Sequence, residues 1–209
     1  MQLTLLFCLV IATLQCASKT KVDLAVSPIS SDEYEVMSAA LSSIRVGSRI
    51  GEHQLIGTNT KCLIISESTL TTPFPFRTSF SAKLPCEDAG IPDLQLATAS
   101  SFQRSNHRSW PLEKKLTLKV PYQLIPKSEY EPLLLQSNHQ AEWHRLFSHY
   151  EGCDGIVLLS RVGFNKSRDQ AFLFFAITVG FDGESDFLVL HKTGGSWSIA
   201  EKIECFFSS

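Results

Sequence analysis

The 209-residue chain is short of charge: 19% of its residues are charged, and 19 Lys and Arg against 21 Asp and Glu leave a formal net charge of -2. That balance excludes a disordered polyelectrolyte and a basic nucleic-acid binder, and the small clusters Lys114-Lys115 and Arg104 with Arg108 do not alter it. Also missing are a G-x-S-x-G elbow, a Gly-rich phosphate loop, a dinucleotide fingerprint and a paired-helix carboxylate motif. No C-x-x-C or H-x-x-x-H spacing accompanies the cysteines, so neither a metal nor another cofactor is expected. What the chain does have is 44% hydrophobic residues, ample for one sizeable core and short for two domains.

Charge is wholly absent from Met1 to Ser18. Within that stretch Leu3 to Leu14 reads LTLLFCLVIATL, as long as a signal-peptide core and too short for a bilayer span, which needs about 20 apolar residues. The expectation is a signal peptide over residues 1–18, cleaved near the small residues Ala17 and Ser18, and a single domain over 19–209 that is secreted or periplasmic. A basic n-region is lacking. Lipid anchoring at Cys16 is the alternative, disfavoured because Gln15 is bulky where lipoprotein processing takes a small residue. Ala171 to Val179 is strand-length and closed by Gly180, Asp182 and Gly183, so no later membrane span is expected. In an oxidising compartment Cys62, Cys86, Cys153 and Cys205 can form disulfides, in any of the three pairings that four cysteines allow. Buried free thiols are the alternative.

Ser30-x-x-Glu33 is a capping-box pattern that opens a helix with Tyr34, Met37, Leu41 and Ile44 on one stripe, ended by Gly47. Cys62 to Ile65 is a short strand candidate. Pro73, Pro75, Pro85 and Pro92 then make residues 67–92 a long loop. Asp93 is a candidate N-cap for a short helix carrying Leu94, Ala97 and Phe102. Leu116, Leu118, Val120, Tyr122 and Leu124 alternate with polar residues, predicting a half-buried strand that Pro121 confines to an edge. Asn138 to Tyr150 reads as a helix with Trp143, Leu146, Phe147 and Tyr150 inward. Gly155 to Phe164, Gln170 to Val179, Asp186 to Lys192 and Ser196 to Phe206 read as a four-strand meander, with a loop over Gly180 to Ser185. Helices before a run of strands predict an α+β fold, with helices packed on one face of a curved antiparallel sheet.

The C-terminal third carries Leu159-Ser160-Arg161-Val162-Gly163-Phe164-Asn165, Asp169-Gln170-Ala171-Phe172-Leu173, Phe187-Leu188-Val189-Leu190-His191-Lys192 and Gly195-Ser196-Trp197. These stretches resemble an uncharacterised family of exported, mostly bacterial proteins with an LSRVGFN, DQALVYV, YVLLEK and GKW signature. Tyr34-Glu35-Val36 and Ser101-Phe102-Gln103-Arg104-Ser105-Asn106 fit as well. The resemblance covers most of the mature chain and implies no activity. Relatives carry a Gly/Cys-rich loop before the YVLLEK strand, whereas Gly180 to Ser185 here has no cysteine. The element order is similar to cystatin-like and nuclear-transport-factor-like cones, an analogy that informs fold and leaves function open.

Candidate chemistry is sparse. Cys153 with His149 could form a thiolate pair, but the Gly152 break and the disulfide alternative stand against it. His139, His144 and His149 are five residues apart, which turns each ring about 140° from the last, so they cannot converge on one ion. Arg161 shares a strand face with Val157 and Leu159. It is a candidate ligand anchor for an anion, or else a buried ion pair, with Asp169, Glu184, Asp186 and Glu201 as candidate partners. His191 is a second anchor candidate, on a central strand. Pro73-Phe74-Pro75-Phe76 with Phe80 is a candidate recognition strip, and Asn165-Lys166-Ser167 matches the N-glycosylation acceptor. The resulting expectation is a secreted, non-enzymatic protein that binds a protein partner or small ligand through its cone-like sheet, without nucleic acid. The alternative is an exported hydrolase with a pocket between sheet and N-terminal helix, using Arg161 and His191.

Overall fold

The computed structural model describes residues 28–43, 45, 46, 53, 54, 61–71, 91, 93–134, 140–179 and 182–204. The expected signal peptide, Cys86, Cys205, His139 and the aromatic strip at residues 73–80 lie outside the described residues. The elements run α1 (Ser31–Ser43), β1 (Arg45–Val46), β2 (His53–Gln54), β3 (Cys62–Ser66), α2 (Leu96–Ser105), β4 (Tyr122–Ile125), α3 (Lys127–Leu134), α4 (Gln140–His149), β5 (Cys153–Leu159), β6 (Gly163–Phe164), β7 (Gln170–Val179), β8 (Asp182–Thr193) and β9 (Ser196–Glu204). The fold is α+β. No described helix is long and apolar enough to cross a membrane.

One sheet runs in the order β4-β3-β5-β7-β8-β9, with the short β6 also on β7. The sheet is mixed rather than antiparallel: β3 pairs parallel with both β4 and β5, and only β5 through β9 are antiparallel neighbours. Short connections favour antiparallel pairing in the C-terminal meander. The segments joining β3 to β4 and β4 to β5 contain helices and are long enough to bring the chain back in the same direction. β8 starts at Asp182, paired with Val179, so most of the expected Gly180 to Ser185 loop is strand.

Helices cover both faces, which corrects the one-faced arrangement. On one face Tyr34, Val36, Met37 and Leu41 of α1 pack on Leu63, Val157, Leu159, Leu173, Phe175, Leu188 and Leu190. On the other, Phe102 of α2, Tyr130 of α3, and Trp143 and Leu146 of α4 pack on Ile64, Ile156, Phe172, Phe174 and Phe187. Two-sided burial explains why Ala171 to Ile177 of β7 is an unbroken apolar run with no polar alternation. On the α2 face, ring centroids of Phe102 and Phe172 lie 4.9 Å apart edge-on, and those of Phe172 and Phe187 lie 5.2 Å apart stacked. Such pairs add about 0.5–1.5 kcal/mol each beyond their area.

Two elements begin differently from expectation. α2 starts at Leu96 behind Gln95, while Asp93 sits in the turn before it at φ 60° and caps nothing. The alternating segment at 116–124 becomes strand only at Tyr122. Before that it is an irregular strap over α1, fixed by three side chains: the Tyr34 hydroxyl accepts from the Glu113 N–H at 2.7 Å, Ser38 Oγ from Thr117 N–H at 2.9 Å and the Tyr122 hydroxyl from Leu116 N–H at 3.0 Å. Pro121 lacks an N–H, which keeps the ladder from starting earlier, and β4 is an edge strand as expected. Burial raises the Tyr34 and Tyr122 hydroxyls above the usual tyrosine value, so both stay protonated and uncharged in this clamp.

Gly163 shows why α2 lies where it does. A Cβ there would meet the Phe102 backbone nitrogen at 2.4 Å, so the helix backbone rests directly on β6. Ser101 Oγ accepts the Phe164 N–H at 3.2 Å beside that contact. Cys62 and Cys153, register partners in the parallel β3–β5 pair, form a disulfide across a Cα separation of 4.2 Å.

Candidate functional site

Arg161 follows β5 and keeps that strand's parity, so its side chain points toward α1 as the pattern with Val157 and Leu159 requires. Among the described residues it pairs with Glu33 rather than with the four carboxylates expected for it. The guanidinium grips Glu33 through both oxygens, Nε to Oε1 at 2.9 Å and Nη2 to Oε2 at 2.7 Å, with both side chains buried. Glu33 is also the capping-box residue of α1: its Oε2 accepts from the Ser30 N–H at 2.9 Å and from Ser30 Oγ at 3.1 Å. One carboxylate therefore starts the helix and neutralises the buried cation. Such a pair stands only when its remaining hydrogen bonds are made.

The Arg161 backbone is held as tightly as its side chain. Buried Asn106, which ends α2, accepts the Arg161 N–H at 2.7 Å and donates to its carbonyl at 3.0 Å. Ser160 Oγ takes the Phe174 N–H at 2.8 Å where the β5 ladder breaks. The Arg161 guanidinium lies 4.9 Å from the Trp110 ring centroid, and the Arg108 guanidinium 4.0 Å from the same ring.

His191 lies on the other face. In β8, Leu188 and Leu190 face α1, whereas Phe187 and Val189 face α2, and His191 shares the parity of the second pair. It pairs in register with Gln170, a buried amide that serves as the hub of the α2 entry. Gln170 Oε1 accepts from the Gln95 N–H at 2.8 Å and from Thr98 Oγ1 at 2.7 Å, while Nε2 donates to the Asp93 carbonyl at 2.7 Å. The Gln95 N–H can only donate, which fixes the amide's orientation. The same Nε2 also lies 3.1 Å from His191 Nε2, which ties the imidazole to this hub. This hub takes the place of the N-cap that Asp93 was expected to supply.

Asn165 is buried at the β6–β7 turn. Its Nδ2 donates to Gln95 Oε1 and to Asp169 Oδ1, and its Oδ1 accepts the backbone N–H groups of Asp169 and Gln170. A sugar linked at Nδ2 would displace one of those two donated bonds. Hydrogen bonds from Asn165 and Ser167 hold the Asp169 carboxyl below its usual range. Cys153 is consumed by its disulfide, which removes the thiolate pair with His149. Among the described residues no cluster of three His, Cys, Asp or Glu residues could hold a metal ion.

Open space lies along the β4 edge. One groove of about 480 Å³ is lined by Cys62, Lys114, Pro121, Tyr122, Gln123 and Leu124. A second, of about 460 Å³, is lined by Glu67, Ser68, Ser109, Trp110, Pro111, Leu112 and Leu124. No family model, curated protein or solved structure matches the chain.

Proposed function

We propose that the chain is an exported, disulfide-stabilised, non-enzymatic binding domain whose partner docks on its outer surface. One observation carries the reading: Arg161 and His191 lie on opposite faces of the sheet, one gripped by Glu33 and the other by Gln170. A hydrolase built on those two side chains needs them in one pocket between sheet and N-terminal helix. That interface is packed with Tyr34, Met37 and Leu41 instead. The same packing moves any docking site off the sheet faces, away from the concave surface that the cone analogy suggests.

The Cys62–Cys153 disulfide supports the oxidising compartment, and residues 1–18 supply the means of export. The test is to express the full chain in a secreting host and recover it from the medium. A mature N-terminus near Lys19, an oxidised Cys62–Cys153 pair and no turnover of ester, phosphate, glycoside or peptide reporters are expected. Turnover that His191→Ala abolishes in a folded protein, or retention of residues 1–18 in the cell, would overturn the reading.

A further inference from the structure

The sheet ends on one side at β4, and the hydrogen bonds on its inner side define what its outer side offers. The Pro121 carbonyl accepts the Leu63 N–H at 3.0 Å and the Ile125 carbonyl accepts the Glu67 N–H at 2.8 Å. In a parallel ladder alternate residues bond to the same neighbour, so Pro121, Gln123 and Ile125 face β3, while Tyr122 and Leu124 hold their N–H and C=O groups outward. Among the described residues no backbone bond is made on that outer side. Prolines bound the opening: Pro126, the next outward residue after Leu124, has no N–H, and Pro121 delays the strand until Tyr122. The opposite edge, β9, is interrupted by a register shift that leaves Ala200 out of the pairing, a feature that blunts edge-to-edge association; the β3–β4 ladder has no such shift.

The two ends of this edge carry opposite charges. Both grooves lie beside it and share Leu124. Lys114 lines the groove at the Tyr122 end and Glu67 the groove at the Leu124 end. Both residues are exposed, and among the described residues neither makes an ion pair. Both stand on the α1 face. Lys114 Nζ lies 5.9 Å from the ring of Tyr122, which packs in the α1 layer, and Glu67 keeps the parity of Leu63 and Ile65. Gln123, between Tyr122 and Leu124, is exposed and has the opposite parity.

We propose that β4 pairs antiparallel with β4 of a second copy of this chain, about a two-fold axis at Gln123, so that two sheets join into one. In that register Tyr122 stands opposite Leu124 of the second copy and Leu124 opposite its Tyr122. Each of these pairs exchanges both N–H···O=C bonds, which uses every outward donor between Pro121 and Pro126. A slip of two residues one way sets Tyr122 against Pro126, which has no N–H to return; a slip the other way sets Leu124 against Val120, which lies before the strand. The axis keeps both α1 faces on the same side of the joined sheet. It therefore turns the groove holding Lys114 toward the groove holding Glu67 of the second copy, and the reverse contact follows by symmetry. Gln123 meets its own counterpart on the α2 side, where two amides suit each other as donor and acceptor. A patch whose backbone groups and charges complement themselves under a two-fold rotation is what an isologous interface requires, and this selects a second copy as the occupant. The inference stands independently of the binding role argued above.

Sedimentation velocity of the purified mature protein over a concentration series tests this, with a reversible monomer–dimer equilibrium expected. Lys114→Glu and Glu67→Lys each set like charges against one another at both ends of the seam and should weaken dimerisation about tenfold, whereas the combined Lys114→Glu/Glu67→Lys variant should restore it. Both positions are exposed, so thermal unfolding of the monomers should stay unchanged. Gln123→Cys places two thiols across the axis at the spacing of a non-hydrogen-bonded pair and should give a disulfide-linked dimer under mild oxidation, while Gln103→Cys on the exposed side of α2 should not. A protein that stays monomeric at every concentration, a dimer equally stable in all three charge variants, or equal cross-linking of the two cysteine variants would overturn the inference.

Discussion

Removing the Cys62–Cys153 disulfide should cost this fold more than any surface substitution. The bridge closes a loop spanning 91 positions, and in the chain-entropy treatment a loop of that length restrains the unfolded state by about 4.6 kcal/mol. Most of that should appear as lost stability, because the two cysteines are already register partners in β3 and β5 and the native strands stay paired without the bridge. The variant Cys62→Ala/Cys153→Ala avoids placing a hydroxyl at buried Cys153. At roughly 2–4 °C per kcal/mol for a chain of this size, its Tm should fall by about 9–18 °C. Urea titration should also show a steeper m-value, since the unfolded chain expands once the loop opens. A stability loss below about 1 kcal/mol with an unchanged m-value would refute the reasoning, as would non-reducing peptide maps that join Cys62 to Cys86 or Cys205.

Four further outcomes follow from particular contacts. Gly163→Ala forces a Cβ against the Phe102 backbone and should destabilise by about 2–3 kcal/mol in urea unfolding, with near-ultraviolet circular dichroism reporting disturbed Phe packing. Gln170→Ala strips the Gln95 N–H and the Thr98 hydroxyl of their acceptor and the Asp93 carbonyl of its donor; about 2–4 kcal/mol is expected, with faster amide exchange at the start of α2. Two groups contribute to the pH dependence. The depressed Asp169 carboxyl contributes stability above the ordinary value of 3.8 that is lost as pH falls through its folded value, so Asp169→Asn should flatten the acid limb of the stability curve. Burial and the hydrogen bond to Glu129 push the Tyr150 hydroxyl up to about 12, so its contribution is complete below 10 and disappears as pH rises toward 12; Tyr150→Phe should remove that step from the tyrosinate absorbance titration.

Much of the local structure was readable from the chain, and the long-range pairing was not. Ser30 and Glu33 announce the start of α1 because a capping box lies within one turn. The stripe of Trp143, Leu146 and Tyr150 announces α4 for the same local reason. The Arg161 partner was missed because Glu33 lies 128 residues away, and a carboxylate assigned to a cap gives no sign that it also meets a distant cation. The parallel pairing of β3 escaped notice because pairing direction leaves little mark on a five-residue apolar strand. A signal for the second helical layer did exist: Ala171 to Ile177 is apolar on both parities, the pattern of a strand buried on both sides. Pro132 inside α3 interrupts the helical pattern of that segment in the sequence. Gln170 was missed as a hub because glutamine has no motif of its own, and its role exists only once α2, β7 and β8 meet.

The central claim is that Arg161, the residue most readily read as a ligand anchor, instead joins α1 to the sheet. A double-mutant cycle in urea with Arg161→Met, Glu33→Gln and the pair measures this directly. Each single change should cost about 3–5 kcal/mol, because each leaves a buried group without its counterpart. The pair should cost clearly less than the sum, with a coupling energy of about 2 kcal/mol or more. Single variants within about 0.5 kcal/mol of wild type and an additive pair would contradict the account and return Arg161 to the ligand.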